Sequence, residues 1–211
     1  MSDALGLIEV RGWSPSMLVL DRLEKAARVR LLQVELNDLY GVCMKVAGPM
    51  ANVRTALHAA KALADCLQVE CIVDVIPRPD KRSQPAYDAK PEFNPLIEQD
   101  VVHLPASGQE EKEHGLIQQD RFAIGFIETQ GYTAVIEAID TACKTAAVDV
   151  LGREKLGGGY ITVIIKGDVA AVKAAIDAGK VKVEGLGKLI AAHVIPSPSQ
   201  AVLSLLPKSQ T

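Results

Sequence analysis

The stretch Glu154–Val172, EKLGGGYITVIIKGDVAAV, places three consecutive glycines beside a lysine and in front of a long apolar run. A glycine loop that cradles phosphate leads directly into a helix, whose first N–H groups meet the anion. Here the β-branched run YITVIIK (160–166) follows the glycines and predicts a strand. At the next helix start, Asp168 predicts an N-cap whose carboxylate repels anions. The pattern favours a hairpin whose glycines supply positive φ over a nucleotide-binding loop.

The residues around this stretch predict an α+β unit. FAIGFIET (122–129) and VDVLGREK (148–155) are predicted strands, and LIAAHVIP (189–196) is a closing strand. A helix after Asp168 is predicted to end at Gly179. The helix between the first two strands has apolar residues at helical spacing: Val135, Ile136, Ile139, Cys143 and Ala147. The order strand, helix, strand, strand, helix, strand predicts a four-stranded antiparallel sheet with helices packed on one face, an α/β sandwich.

The same pattern occurs twice in the chain. Residues 4–79 align with residues 123–198 without a gap, with 22 identities in 76 positions. The shared positions include Gly6 with Gly125, Glu9 with Glu128, Asp21 with Asp140, and Lys25 with Lys144. A period this long is typical of a duplicated domain in which each copy has its own core.

The repeat predicts four segments. Residues 1–79 form the first domain and residues 123–205 the second, and residues 206–211 are a tail. The segment 80–122 contains four prolines and the acidic run EEKE, a composition that differs from that of either domain. We expect it to be a linker or an insertion.

Composition and charge argue against several classes of protein. The net charge of −3 gives no basic footprint for nucleic acid, and no run approaches the ~20 apolar residues of a membrane span. The first residues do not resemble a signal peptide or an anchor. The cysteines show no CxxC spacing and no histidines beside them: Cys43, Cys66, Cys71 and Cys143. They predict packed, reduced thiols, with no metal site and no cofactor.

A family resemblance rests on the ordered set ALGLIE (4–9), EKLGGGYITVIIKGDVAAVKAAIDAG (154–179) and AAHVIPSP (191–198). This set strongly resembles the bacterial microcompartment (BMC) shell-protein domain. The second copy matches along nearly its whole length, and the first matches at both ends and around Lys25. With two such domains in unpermuted order, the chain resembles a tandem-domain shell protein.

The resemblance implies a structural protein without enzymatic activity, located in a microcompartment shell in the cytoplasm. Single-domain members form hexagonal hexamers, and tandem members form homotrimers with the same six-lobed outline. These tiles join edge to edge with other shell proteins, both hexamers and pentamers, around encapsulated enzymes. The resemblance therefore predicts a homotrimer that passes small metabolites through a central pore and has no nucleic-acid or membrane partner.

The resemblance also places particular residues at that pore. The loop KLGGG faces it in the second copy, and LNDLY (36–40) is aligned with this loop in the first. The predicted pore-lining residues are Asn37, Asp38, Leu39, Tyr40, Lys155, Leu156, Gly157, Gly158 and Gly159. Three Asp38 carboxylates would favour cations and Tyr40 would narrow the opening; alternatively, Asn37 and Asp38 only form a turn in solvent. Cys43 falls in the strand after the loop, so no iron–sulfur cluster is predicted.

The tile edge is predicted to involve Lys25, Lys144 and Arg78. In the second copy Ser197 occupies the position of Arg78, which leaves that contact in doubt for half of the perimeter. The lysines are alternatively ordinary solvated residues of an amphipathic helix.

Two other functions stay open. One is a trimeric small-molecule-binding or signalling module on a related α+β fold. The other is an enzyme with sites between subunits, for which the sequence offers no residue set. The repeated carboxylates of Glu9 and Glu128 suggest acid–base chemistry by themselves. A structural role is favoured because no histidine lies near them in sequence. The four histidines share no position in the repeat: His58, His103, His114 and His193.

Overall fold

The computed structural model describes residues 3–37, 41–88, 90–97, 99–105 and 122–207. It divides into two compact units at Leu104. The EEKE run, His114, Asp38, Leu39 and Tyr40 lie outside the described residues. Each unit contains an antiparallel sheet with two long helices, so the α+β fold class is confirmed.

The first copy of the repeat contains six elements in the predicted order. They are β1 (Ala4–Val10), α1 (Trp13–Ala26), β2 (Arg30–Asn37), β3 (Gly41–Gly48), α2 (Met50–Cys66) and β4 (Cys71–Ile76). Helix α2 packs closely over Gly6 of β1. A Cβ added at Gly6 would lie 2.8 Å from the Val53 side chain of this helix. The repeated glycine therefore lets α2 lie close to the sheet.

Part of the predicted 80–122 segment folds onto the first unit. It contains a 3-10 turn (Lys81–Ser83), α3 (Gln84–Tyr87), β5 (Phe93–Asn94), β6 (Gln99–Asp100) and β7 (Val102–His103). Strand β7 pairs with the outer edge of β2, so this sheet has the order β4-β1-β3-β2-β7. Four strands were predicted per sheet, and the fifth supplies partners for backbone groups that an edge strand leaves unpaired. We call the described residues between 81 and 104 the insertion.

The second unit has the predicted order of six elements, followed by a short helix that was not predicted. They are β8 (Ala123–Gln130), α4 (Tyr132–Thr145), β9 (Asp149–Gly157), β10 (Tyr160–Gly167), α5 (Val169–Val181), β11 (Lys188–Ile195) and α6 (Gln200–Ser204). Its sheet has the order β11-β8-β10-β9. Pro207 lies against β9, 2.8 Å from the position of a Cβ added at Gly152.

Helix α5 begins as predicted and ends later than predicted. The Asp168 carboxylate accepts the N–H groups of Ala170 (2.8 Å) and Ala171 (3.1 Å), which is an N-cap. The predicted end at Gly179 is wrong, because the helix continues to Val181. A Cβ at Gly179 would lie 2.7 Å from the Ala138 carbonyl oxygen of α4. This glycine permits close helix packing and does not terminate the helix.

The buried face of α4 also differs from the predicted apolar stripe. Its buried residues are Ala134, Val135, Ala138 and Ala142, whereas Ile136 is 45% exposed. Small side chains at i, i+4 and i+8 let α4 approach α5 closely. Of the predicted stripe, Val135 is buried and Ile139 partly buried, whereas Ile136 and Cys143 are exposed and Ala147 lies beyond the end of the helix.

Candidate functional site

The three glycines form the tip of the β9–β10 hairpin. Gly157, Gly158 and Gly159 have φ values of 86°, 57° and 82°, all in the region that side-chain-bearing residues avoid. Lys155 lies on β9 opposite Ile161, and the Leu156 side chain is buried. A strand follows the glycines, so the loop does not lead into a helix N-terminus.

The tip is held to the corner between β8 and α4. The Gly131 N–H donates to the Gly159 carbonyl oxygen (3.0 Å), and Gln130 Nε2 donates to the Gly158 carbonyl oxygen (3.3 Å). At the same corner, the Arg153 guanidinium lies 5.3 Å from the Tyr132 ring centroid and donates to its hydroxyl. Two carbonyl groups of the tip therefore point back into the domain.

The conformation of the tip can be tested at Gly158. A Cβ there meets only the Tyr160 ring at ordinary distance, 3.5 Å, so the cost of a side chain comes from its backbone angle. We expect Gly158→Ala to lower the free energy of unfolding by about 1 kcal/mol. Gly158→Asn is the matched control, because asparagine tolerates positive φ, and it should lose less. Urea denaturation at one protein concentration measures both; equal losses would contradict the backbone explanation.

The first copy reaches the same corner differently. Strand β2 ends at Asn37 and β3 begins at Gly41. Gly41 has a φ of 111°, and a Cβ there would lie 2.5 Å from the Gly12 backbone nitrogen. Of the four pore residues predicted in this copy, only Asn37 is described. Because Asn37 pairs with Gly41, the end of β2 lies close to the corner between β1 and α1.

A cavity of about 520 Å³ lies beside Asn37 in the first unit. Three carboxylates line it, from Glu9, Glu35 and Glu92, together with the Cys43 thiol. Burial, reinforced by Glu9 and Glu35, raises the pKa of the Cys43 thiol to about 11, so it stays protonated. A protonated thiol is a poor nucleophile. In the described part of the chain, no group of three or more His, Cys, Asp or Glu residues is arranged to hold a metal ion.

Cross-strand pairing explains why the carboxylates converge. Glu9 and Glu35 both lie opposite Cys43, on the strands at its two sides. The second copy repeats this row as Glu128, Thr162 and Glu154. Glu35 and Glu154 are identical in the repeat, but they are absent from the predicted site because only strand register brings them beside the first glutamate.

A buried lysine is a second feature absent from the predicted site. Lys45 on β3 is 4% exposed, and its Nζ lies 2.9 Å from Glu35 Oε1 and 2.6 Å from Gln33 Oε1. Its third acceptor is the Tyr87 carbonyl oxygen of the insertion, at 3.0 Å. The aligned residue is Ile164, so a lysine inside an otherwise apolar strand was the available signal. Lys45 joins the insertion to the sheet.

The predicted edge lysines have the same geometry in both copies. Lys25 Nζ lies 2.7 Å from Asp21 Oδ2 in the last turn of α1, and Lys144 Nζ lies 2.6 Å from Asp140 Oδ2 in the last turn of α4. The hydrogen bond to Asp140 raises the pKa of Lys144, so it stays charged. Arg78 is exposed just after β4.

The remaining titratable candidates that the structure describes are not arranged as a catalytic set. Glu128 is fully buried and Glu9 partly so. Burial lowers the pKa of both His103 and His193, which favours their neutral forms. The four cysteines are free, and the prediction that all are packed is wrong for Cys66 and Cys143, which are exposed.

Sequence comparison decides the family. The profile of the BMC domain matches residues 4–79 and again residues 123–198. The chain belongs to the BMC-domain family. It is 51% identical over 86 residues to the bacterial microcompartment shell protein PduA of Citrobacter freundii, an alignment that covers 41% of this chain and 92% of PduA.

Two further comparisons extend over most of the chain. The carboxysome assembly protein CcmO of Synechococcus elongatus is 31% identical over 211 residues, covering 100% of this chain and 71% of CcmO. A crystal structure of a microcompartment protein from Desulfitobacterium hafniense covers 94% of this chain and is itself covered to 97%, with 27% identity and a TM-score of 0.37.

Membership confirms the broader predictions. The protein is a tandem BMC-domain protein with a structural role in a microcompartment shell, and it is not an enzyme. Its predicted location in such a shell is likewise confirmed. Within the described residues, no helix combines the length and apolar character needed to cross a membrane.

Proposed function

We propose that this chain forms a homotrimer with pseudo-sixfold symmetry, which tiles into shell facets and passes small metabolites through a central pore. The observation that carries the proposal is the presence of two complete BMC domains in one chain. Closed cyclic symmetry then builds a six-lobed ring from three chains. Other hexameric and pentameric shell proteins are its partners at the tile edges, and the finished shell surrounds encapsulated enzymes.

Unequal burial of repeated positions supports the ring. Trp13 and Met17 on α1 are fully buried, whereas the aligned residues Tyr132 and Ile136 on α4 are 50% and 45% exposed. Trp13 packs against His103 of the insertion, with ring centroids 5.6 Å apart. Exposed aromatic and aliphatic residues one helical turn apart are typical of an interaction surface. A neighbouring chain in a ring would cover this face of α4.

The glycine hairpin supports the proposed pore. Residues without side chains can approach a symmetry axis closely, and two carbonyl groups of the tip are already bonded to the domain. The rim would then alternate between this hairpin, from Lys155 to Gly159, and Asn37, Asp38, Leu39 and Tyr40 of the first copy. The side chains of the first copy would set the width and charge of the opening.

The paired lysines support the proposed edge contact. Lys25 forms an ion pair with Asp21 and Lys144 forms one with Asp140, each at the end of an equivalent helix. The edges would therefore present one repeated charge six times around the tile, with Arg78 beside it only at alternate lobes.

Electron microscopy of the purified full-length protein tests the proposal. We expect sheets, tubes or hexagonal arrays with a repeat of several nanometres, and analytical ultracentrifugation should find a trimer as the smallest stable species. Particles that remain dispersed across a range of salt concentrations would contradict tiling. Saturable binding of a nucleotide by such dispersed trimers would instead favour the small-molecule-binding module.

A further inference from the structure

The insertion is attached to the first sheet at a few identifiable points. Its strand β7 pairs with β2 through Val34–His103 and Glu35–Val102, and the Leu36 N–H donates to the Val101 carbonyl oxygen (2.8 Å). The Val101 N–H in turn donates to the Glu92 carbonyl oxygen (2.8 Å), which joins the β5–β6 hairpin to the same edge. A two-residue strand depends on its side-chain contacts for stability.

His103 supplies one side-chain contact of β7, next to the buried Val102. Its imidazole lies 5.6 Å from the Trp13 ring centroid, tilted by 55°. Its Nε2 is buried and has no hydrogen-bond partner among the residues that the structure describes. A neutral imidazole can leave this nitrogen as an unprotonated acceptor at modest cost. A protonated one places an N–H donor and part of a positive charge there, without an acceptor.

We propose that protonation of His103 releases β7 from the edge of the first sheet, so that the insertion is docked at neutral pH and detaches as the medium becomes acidic. Detachment would expose the outer edge of β2 and the Trp13 ring together. Strand β2 ends at Asn37, where the proposed pore loop of the first copy begins. The consequence for the pore rests on the proposed function, but the release itself does not.

The surroundings of His103 oppose its charged form. Helix α1 presents the uncharged Trp13 ring, and β2 presents Val34. Asp100 on β6 acts in the opposite sense: its carboxylate favours protonation, and so does the hydrogen bond between the imidazole and the Asp100 backbone. Burial outweighs this effect and lowers the pKa of His103.

The lowered pKa of His103 determines how the docking of β7 depends on pH. A histidine whose pKa is lower when docked binds more protons in the detached state. Docking is therefore at full strength above the free histidine pKa of about 6.5 and weakens as the pH falls below it. One proton changes the docking equilibrium by at most about tenfold for each pH unit in this window.

Hydrogen exchange of the full-length protein tests the proposal, because the Leu36 amide is protected only while β7 is docked. We expect its exchange, corrected for the intrinsic pH effect, to accelerate by up to about tenfold per pH unit between pH 6.5 and 5. Fluorescence of Trp13, the single tryptophan in the chain, should change over the same range. Protection of β8 reports whether the second unit stays folded.

Variants at two histidines distinguish release of β7 from protonation of His103 without any release. His103→Gln and His103→Phe cannot be protonated and should keep Leu36 protected at low pH. His193→Gln removes the other histidine with a lowered pKa and should leave the transition unchanged. The proposal is overturned if Trp13 fluorescence changes while Leu36 exchange does not, since His103 would then titrate in place. Retention of the wild-type pH dependence by both His103 variants would also overturn it.

Discussion

The double variant Lys25→Glu, Lys144→Glu is expected to form no extended sheets while its trimers remain intact. The substitutions reverse a charge that recurs at every lobe of the proposed tile, so repulsion replaces attraction along the whole perimeter. Exposed ion pairs within a helix contribute little to fold stability, and both lysines lie on the surface. Loss of sheets with retention of trimers therefore identifies an edge contact.

A second pair of repeated lysines provides the control. Lys61 pairs with Asp65 (2.7 Å) and Lys180 with Asp177 (2.5 Å), each on its own helix. The variant Lys61→Glu, Lys180→Glu changes the net charge by the same amount at positions with no predicted edge role. It should still form sheets in electron microscopy. Sheets from the Lys25 and Lys144 variant would refute their edge role, and loss of sheets in both variants would point to net charge alone.

Trp13→Ala is expected to cause the largest loss of stability of any single substitution considered. The side chain is fully buried and lies against His103. Removal of a buried tryptophan typically costs about 3–5 kcal/mol, from lost burial and the cavity left behind. Urea denaturation should show this loss at all protein concentrations, and the docking of β7 should weaken with it.

Tyr132→Ala is the matched substitution in the other copy. Because Tyr132 is half exposed, its removal should lower the stability of the isolated chain by about 1 kcal/mol, mainly through the lost contact with Arg153. In the proposed ring the substitution would also remove a contact with a neighbouring chain. The variant trimer should therefore dissociate at protein concentrations at which the unsubstituted trimer stays intact. Sedimentation at several concentrations measures this. Equal losses of stability in Trp13→Ala and Tyr132→Ala, independent of protein concentration, would contradict a core role for Trp13 and an interface role for Tyr132.

Much of the fold could be predicted because its signals are local or repeated. The glycine run permits positive φ wherever it stands, and Asp168 caps a helix through N–H groups only two and three residues away. The repeated Gly6 and Gly125 indicated one architecture used twice. By contrast, Gly179 looked like a helix end because its reason for being glycine lies on another helix, at Ala138.

The candidate site was less predictable where strands bring distant residues together. Glu35 lies opposite Cys43 only through the register of β2 and β3. The role of Lys45 depends on the Tyr87 carbonyl group, 42 residues away in the chain. Neither contact leaves a spacing pattern in the sequence.

The sequence by itself determined that this protein contains two BMC domains, with three consecutive glycines in the second copy and one lysine at the same position of both copies, because identity along a repeat survives without knowledge of contacts. Only the tertiary structure decided that the insertion closes one sheet edge and that Trp13 is buried where Tyr132 is exposed. The physical reason is that burial and strand pairing are set by the neighbours that folding supplies, and equivalent residues in the two copies have different neighbours.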